Sequence, residues 1–198
     1  MECNSITLVG IPRDCNPNMG GIQKVWMILK SDITDLQVGI DETSSTNPDV
    51  QLITTLAVAE GTGKVNAFEF RKGAASMTSN LQKDDTNGSY FWLTDLVMNF
   101  QRMETSKRAA VMALTLAESC AIVLDANGVY WFLGKDEYLA ATAGTAETGT
   151  AKTDANKYSI TLQDSSLELP YEIEKTVAEG IVARAKETPQ TKPVVPGA

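Results

Sequence analysis

The chain has 198 residues, a formal charge of −8, three cysteines and no histidine, and 43% of its residues are apolar. That length can bury a proper core within one domain carrying extensions. The acidic balance argues against a protein that grips nucleic-acid phosphates, which takes clustered Lys and Arg, and the lack of histidine removes Ser-His-Asp and Cys-His nucleophile systems and any histidine general base.

Cys3, Cys15 and Cys120 are too few and too unevenly spaced for a disulfide framework or a zinc site. Unpaired buried thiols made in a reducing compartment are expected. No run approaches 18 apolar residues, and Met1-Glu2-Cys3-Asn4 lacks the basic start of a signal peptide, so neither a membrane span nor Sec export is expected. Charge is distributed unevenly. Residues 31–63 hold six acids (Asp32, Asp35, Asp41, Glu42, Asp49, Glu60) and no base, whereas residues 64–110 carry seven bases and five acids. Two such regions on one chain either sit in solvated loops or dock head to tail between copies.

In chain order, Ile6–Ile11 reads as a short strand closed by Pro12. The turn formers from Arg13 to Asn18 lead to Gly20-Gly21 and a second strand, Ile22–Lys30, apolar on both faces toward its end. Residues 31–51 read as an acidic loop, and Leu52–Val58 as a strand. Val65–Lys72 alternates, with Phe68 and Phe70 opposite Glu69 and Arg71, and predicts a half-buried strand. Ala75–Gln82 and Ser89–Leu93 flank the polar apex Lys83-Asp84-Asp85-Thr86-Asn87-Gly88, a hairpin whose first arm shows a polar side to water or a partner; its second arm runs on through Leu96, Met98 and Phe100. A helix follows, capped by Thr105 or Ser106 and apolar almost all round from Ala109 to Ala117, which predicts burial against a sheet. Ala121–Leu124 and Val129–Leu133 form a second hairpin. Asn127-Gly128 is expected to make its type I′ turn, and both faces of these strands should be covered, one by the preceding helix. The Gly/Thr/Ala tract at 143–151 is a loop or thin edge strand, lacking phosphate-loop spacing. Tyr158–Gln163 is the last strand of the core. After Pro170, Ile173, Val177, Ala178, Ile181, Val182 and Ala185 recur at helical spacing despite Gly180, and a Pro-rich extended arm starts at Thr188.

About eight strands, a flanking helix and a C-terminal helix predict a mainly β fold, an antiparallel β-sandwich or half-barrel. Residues 1–170 form its β domain and 171–198 the C-terminal helix and arm. No catalytic, cofactor or metal site is assigned. Asp84 and Asp85, adjacent on a strand end, point to opposite faces and read with Asp95 as a solvated tip instead of an acid pair. Asp125 beside Asn127 reads as an Asx turn residue ahead of a cation ligand. Trp26, Trp92, Trp131, Tyr90 and Tyr130 read as core packing ahead of a sugar platform. Lys107 and Arg108 in the first helical turn, and Glu118 in the last, oppose the macrodipole, which a partner carboxylate near the two bases would resolve.

Several stretches together resemble the tail tube proteins of tailed bacteriophages, in particular a group of virion proteins of gut phages. They are Cys15-Asn16-Pro17-Asn18-Met19-Gly20-Gly21 with Val25-Trp26, Gly73 to Thr78 running into Leu81-Gln82-Lys83-Asp84-Asp85 and Asn87-Gly88, Ala121 to Asp125 with Asn127-Gly128 and Tyr130-Trp131, Gly144 to Ala151, and Asp154 to Leu162. The resemblance spans roughly residues 3–165 and leaves the Pro-rich end unmatched, so it fits a tube subunit or a related ring, neck or stem component. It implies a sandwich or barrel-like protomer with a flanking helix. It further implies rings, six copies each, walled inside by one continuous β-barrel and stacked through loops and terminal arms. The expected partners are other copies of the chain and other tail or neck proteins. No membrane is involved, and DNA passes without specific binding down an acidic bore that repels its phosphates. Synthesis in the host cytoplasm and residence in the virion tail follow. Subunit contacts are expected in the 76–90 hairpin and the 31–51 loop, at Thr78, Asn80, Leu81, Asp84, Asp85, Asp41 and Glu42, with Lys107 and Arg108 on the helix. The alternative is a monomeric β-sandwich binding module, for a glycan at the Gly/Thr/Ala loops or for protein adhesion.

Overall fold

The computed structural model describes residues 17–40 and 51–185. The expected strand at Ile6–Ile11, most of the following loop, Cys3 and Cys15, the 41–50 stretch with Asp41 and Glu42, and the Pro-rich arm lie outside the described residues.

Eleven strands and two α-helices follow in order: β1 (Ile22–Leu29), a 3-10 turn (Lys30–Asp32), β2 (Ile33–Ile40), β3 (Gln51–Val58), β4 (Val65–Glu69), β5 (Ala75–Asp84), β6 (Ser89–Gln101), α1 (Thr105–Leu116), β7 (Ser119–Asp125), β8 (Tyr130–Leu133), β9 (Ala140–Glu147), β10 (Lys157–Ser166), β11 (Tyr171–Glu172) and α2 (Lys175–Val182). They make a five-stranded sheet β11-β8-β7-β1-β4, a four-stranded sheet β5-β6-β10-β9 and a two-stranded sheet β2-β3, with all ladders antiparallel. Over the described residues the fold is mainly β and sandwich-like, with no closed barrel among them and a helix at its flank.

The five-stranded sheet is the middle layer. Along β1, Val25 and Met27 enter one core while Trp26 and Ile28 enter another; along β7, Ala121 and Val123 part in the same way from Cys120 and Ile122. Burial on both faces explains why these strands read as unbroken apolar runs. Leu96, Met98, Ile160 and Leu162 of the four-stranded sheet close the first core. Ile53, Leu56 and Val58 of β3, with Ile173, Ala178 and Ile181 of the C-terminal segment, close the second. Each fully buried Leu or Ile contributes about 1.5–3 kcal/mol.

Four local expectations are corrected. Residues 33–40, read as loop, form β2; the register shift between Ile33 and Asp35 sets Ile33 out of step with Leu36, Val38 and Ile40, and shortens the alternation that would have revealed the strand. Helix α1 is not buried all round, since Leu114 is its one buried residue while Leu116 is 82% and Met112 50% exposed. It packs against β9 and β10, with Leu114 and Val111 joining the first core, which also holds Ala121, Val123 and Leu133 of the β7-β8 hairpin. Its start is set by Glu104 in an extended conformation, with no side-chain cap from Thr105 or Ser106. Finally, neither Asn87 nor Asn127 takes positive φ; only Gly88 and Gly128 do, in loops longer than the two-residue I′ turn.

Candidate assembly surfaces

In the four-stranded sheet β6 and β10 are paired over ten residues, Trp92–Gln101 against Lys157–Ser166, and they carry β5 and β9 on their outer sides. Among the described residues β5 ladders only with β6, and β9 only with β10. Each therefore presents a row of main-chain donors and acceptors outward, the arrangement that recruits a further strand. The side chains let one approach, because Thr142, Ala143, Gly144, Thr145 and Ala146 are small. Four antiparallel strands leave the two edges running in opposite directions. A copy related by rotation about an axis along the strands would place its β5 antiparallel to β9, so the sheet can continue from copy to copy without reversing any strand.

The two faces of this sheet differ. Leu96, Met98, Ile160 and Leu162 point into the sandwich, while Thr78, Asn80, Asp95, Ser159, Thr161 and Gln163 point away from it. The outward face is largely polar and mostly uncharged, with Leu93 and Val97 as its apolar members on β6. Gln163 Nε2 donates to Asp95 Oδ1 at 2.8 Å, and Lys157 pairs with Glu147 at 3.2 Å.

The β5-β6 hairpin extends past the end of β10, whose last pair joins Ser166 to Trp92. Thr78 and Asn80 lie exposed on the polar face opposite Asp95 and Leu93. Leu81, opposite Trp92 at the last register that β10 reaches, is 47% exposed, and Tyr90, beyond the end of β10, is 51% exposed. Tyr90 is thus a surface residue and not core. At the apex Asp84 Oδ1 accepts from Thr86 N at 2.8 Å and its Oδ2 from Asn87 Nδ2 at 2.7 Å. The Thr86 amide, with Asn87, holds the Asp84 carboxyl below its usual range, so it stays ionised. Asp85 pairs with Lys83 at 2.6 Å. Asp84 and Asp85 thus form the expected solvated tip, whereas Asp95, expected with them, is half-buried in the middle of β6 opposite Gln163.

Lys107 and Arg108 stand at the other end of β6. There Arg102 takes φ 64°, the one positive φ outside glycine among the described residues. Asn156 fixes this bend by accepting Arg102 N on its carbonyl and Met103 N on its side chain, both at 2.7 Å. Lys107 Nζ donates to Gln101 O at 2.7 Å, and Glu104 receives Arg102 at 3.1 Å and Lys107 at 3.7 Å. Glu104 is the carboxylate that Lys107 in the first helical turn calls for, its other ion pair being with Arg102 ahead of the helix, and Glu118 lies beyond the helix end. Of the nine residues expected at contacts, the hairpin gathers Thr78, Asn80, Leu81, Asp84 and Asp85, while Lys107 and Arg108 sit apart from them, and Asp41 and Glu42 are outside the described residues. Phe91, Met112 and Leu116, not among those nine, are exposed large apolar side chains.

Elsewhere Asp125 is an Asx residue, its Oδ1 accepting Asn127 N and Val129 N and its Oδ2 accepting Trp131 Nε1. Trp26 is buried against Tyr130, ring centroids 6.1 Å apart. Two shallow grooves are present, one of about 390 Å³ between Trp26 and the end of α2, the other of about 350 Å³ between the start of β2 and Lys135. Among the described residues no cluster of three or more Cys, Asp or Glu is placed to hold a metal, and no helix is long and apolar enough to cross a membrane. Comparison with protein-family models, curated proteins and solved structures finds no match to this chain.

Proposed function

We propose that this chain is a non-enzymatic virion structural protein that assembles with copies of itself into rings, forming a phage tail tube or a tail or neck conduit for DNA. The observation that carries the reading is the four-stranded sheet with two open, oppositely directed edges. Pairing of β9 with β5 of the next copy extends the sheet around a ring, main chain to main chain. The polar face then lines the interior, because the other face is occupied by the sandwich core. Its amides and hydroxyls offer no cationic row to hold phosphates, and Asp95 adds negative charge. A copy docked on β9 also comes beside α1, which packs on that strand and leaves Met112 and Leu116 uncovered. The sequence resemblance supports six copies per ring.

The test is size-exclusion chromatography with negative-stain imaging of the full chain. Rings or tubes are expected. A strictly monomeric species at high concentration refutes the reading, and glycan or protein binding by that monomer would replace it with an adhesion module.

A further inference from the structure

The geometry points to an axial contact in which the tip of the β5-β6 hairpin of one copy docks on the β6-α1 bend of a second copy, Asp84 and Asp85 against Arg102 and Arg108. This rests on the ring reading and adds to it a direction and a pair of surfaces for stacking.

The two surfaces lie at opposite ends of one strand. From Ser89 at the tip to Gln101 at the bend, β6 spans thirteen residues, roughly 40 Å at strand rise, so they cannot meet within one chain. Between copies they meet only head to tail, and a head-to-tail contact repeats along an axis instead of closing on itself. In a ring built on the four-stranded sheet, every β6 runs the same way. All tips then project from one rim and all bends from the other.

Charge matches across that boundary. The tip sets Asp84 and Asp85 against Lys83, an excess of one negative charge, and the bend sets Arg102, Lys107 and Arg108 against Glu104, an excess of two positive. Both groups are presented outward: the side chains of Asp85 and Arg102 are 83% and 69% exposed, and Arg108 is exposed as well. Tyr90 and Phe91, exposed just behind the acids, give an arginine aromatic faces to lie on while it pairs with the carboxylates. Shape agrees too, since the hairpin stands about three residues clear of β10 before its loop begins.

The test pairs a charge change at the tip with one at the bend. Asp84→Asn keeps the oxygen that caps Thr86 while removing charge, and Asp85→Lys reverses a residue bonded only to its neighbour Lys83. Together they should leave single rings intact but lower the stacked fraction about tenfold at equal protein concentration, the change expected for one lost charged contact per copy. Adding Arg108→Glu should restore stacking, and carbodiimide coupling of assembled wild type should join a tip carboxylate to Lys107 of another copy. Glu at a first helical turn favours the helix, so loss of fold does not explain failed rescue, and a circular dichroism melt verifies it. Tubes unchanged by the tip variant overturn this contact while leaving the rings. Absence of rings in wild type overturns the ring reading and the contact with it.

Discussion

Asp164 offers a perturbation whose outcome can be worked out before the measurement. It lies on the core side of β10 opposite Thr94 and is 5% exposed. Its Oδ2 accepts Gly134 N at 2.9 Å, while its Oδ1 is buried with no hydrogen-bond partner. Burial pushes this carboxyl up from its ordinary 3.8; the Gly134 amide pulls it down, Asp136 and Glu137 push it up, and Lys30 pulls it down, leaving it raised. Between 3.8 and the folded value the native state therefore holds a proton that the unfolded chain has released. Stability falls as pH rises through that window and stays at its lower level above it. Asp164→Asn removes the ionisation, and its side-chain oxygen still accepts the Gly134 amide. An unpartnered buried acceptor costs about 1–3 kcal/mol, more when charged, and the amide group of Asn returns part of that cost. The variant should thus gain about 1 kcal/mol near pH 8, a rise of about 2–4 °C in melting temperature for a chain this size, and gain nothing near pH 4. Thermal melts across that range, at one protein concentration, measure the difference. A variant less stable than wild type by the same amount at every pH would refute the reasoning, because it would mean the carboxylate is fully satisfied where it lies.

Three further outcomes follow from the packing. Leu162→Ala, at a fully buried position in the first core, should cost about 2–5 kcal/mol and lower the urea midpoint with little change in slope. Gly134→Ala should cost more than Gly73→Ala by about 1–2 kcal/mol in parallel urea titrations: both glycines have positive φ, but a Cβ at Gly134 would stand 3.2 Å from Cys120 Cα, whereas Gly73 faces open space. Equal losses would mean that strain in φ alone matters. The Cys120 thiol, pushed up to about 11 by burial and donating to Gly134 O at 3.2 Å, should resist alkylation in the native protein and react once urea unfolds it. Peptide mapping by mass spectrometry follows this, and native labelling at the rate of an exposed thiol would contradict the buried position.

What could be read from the residues alone was whatever the ladder and the core jointly impose. Tyr158, Ile160 and Leu162 alternate because one face of β10 is buried and the other is not, and β1 and β7 lose alternation because they lie between two cores. β2 escaped because the bulge at Thr34 puts Ile33 out of step with Leu36, Val38 and Ile40, which leaves a period-two run too short to stand out. The turns were placed correctly but mistyped, since Asn-Gly marks a reversal without fixing how many residues make it.

Helix α1 is the instructive failure. Its composition foretells burial, yet packing on β9 and β10 accounts for Leu114 and Val111 and leaves Met112 and Leu116 in water. An apolar face beyond what one chain covers is informative in a way that scattered exposed side chains are not. The helix that carries this face packs against β9, the edge to which the proposed ring brings a neighbour's β5. On the proposed ring reading, the apolar composition of the helix and the unpaired strand beside it would share one cause, burial in an assembled wall of which the single chain supplies only half. Met112→Asp with Leu116→Asp separates the alternatives. If the face serves assembly, the monomer keeps its melting temperature within about 1 kcal/mol of stability while rings are lost, as chromatography and imaging would show. If the monomer instead unfolds, that face belongs to the fold of the single chain and the argument from α1 falls.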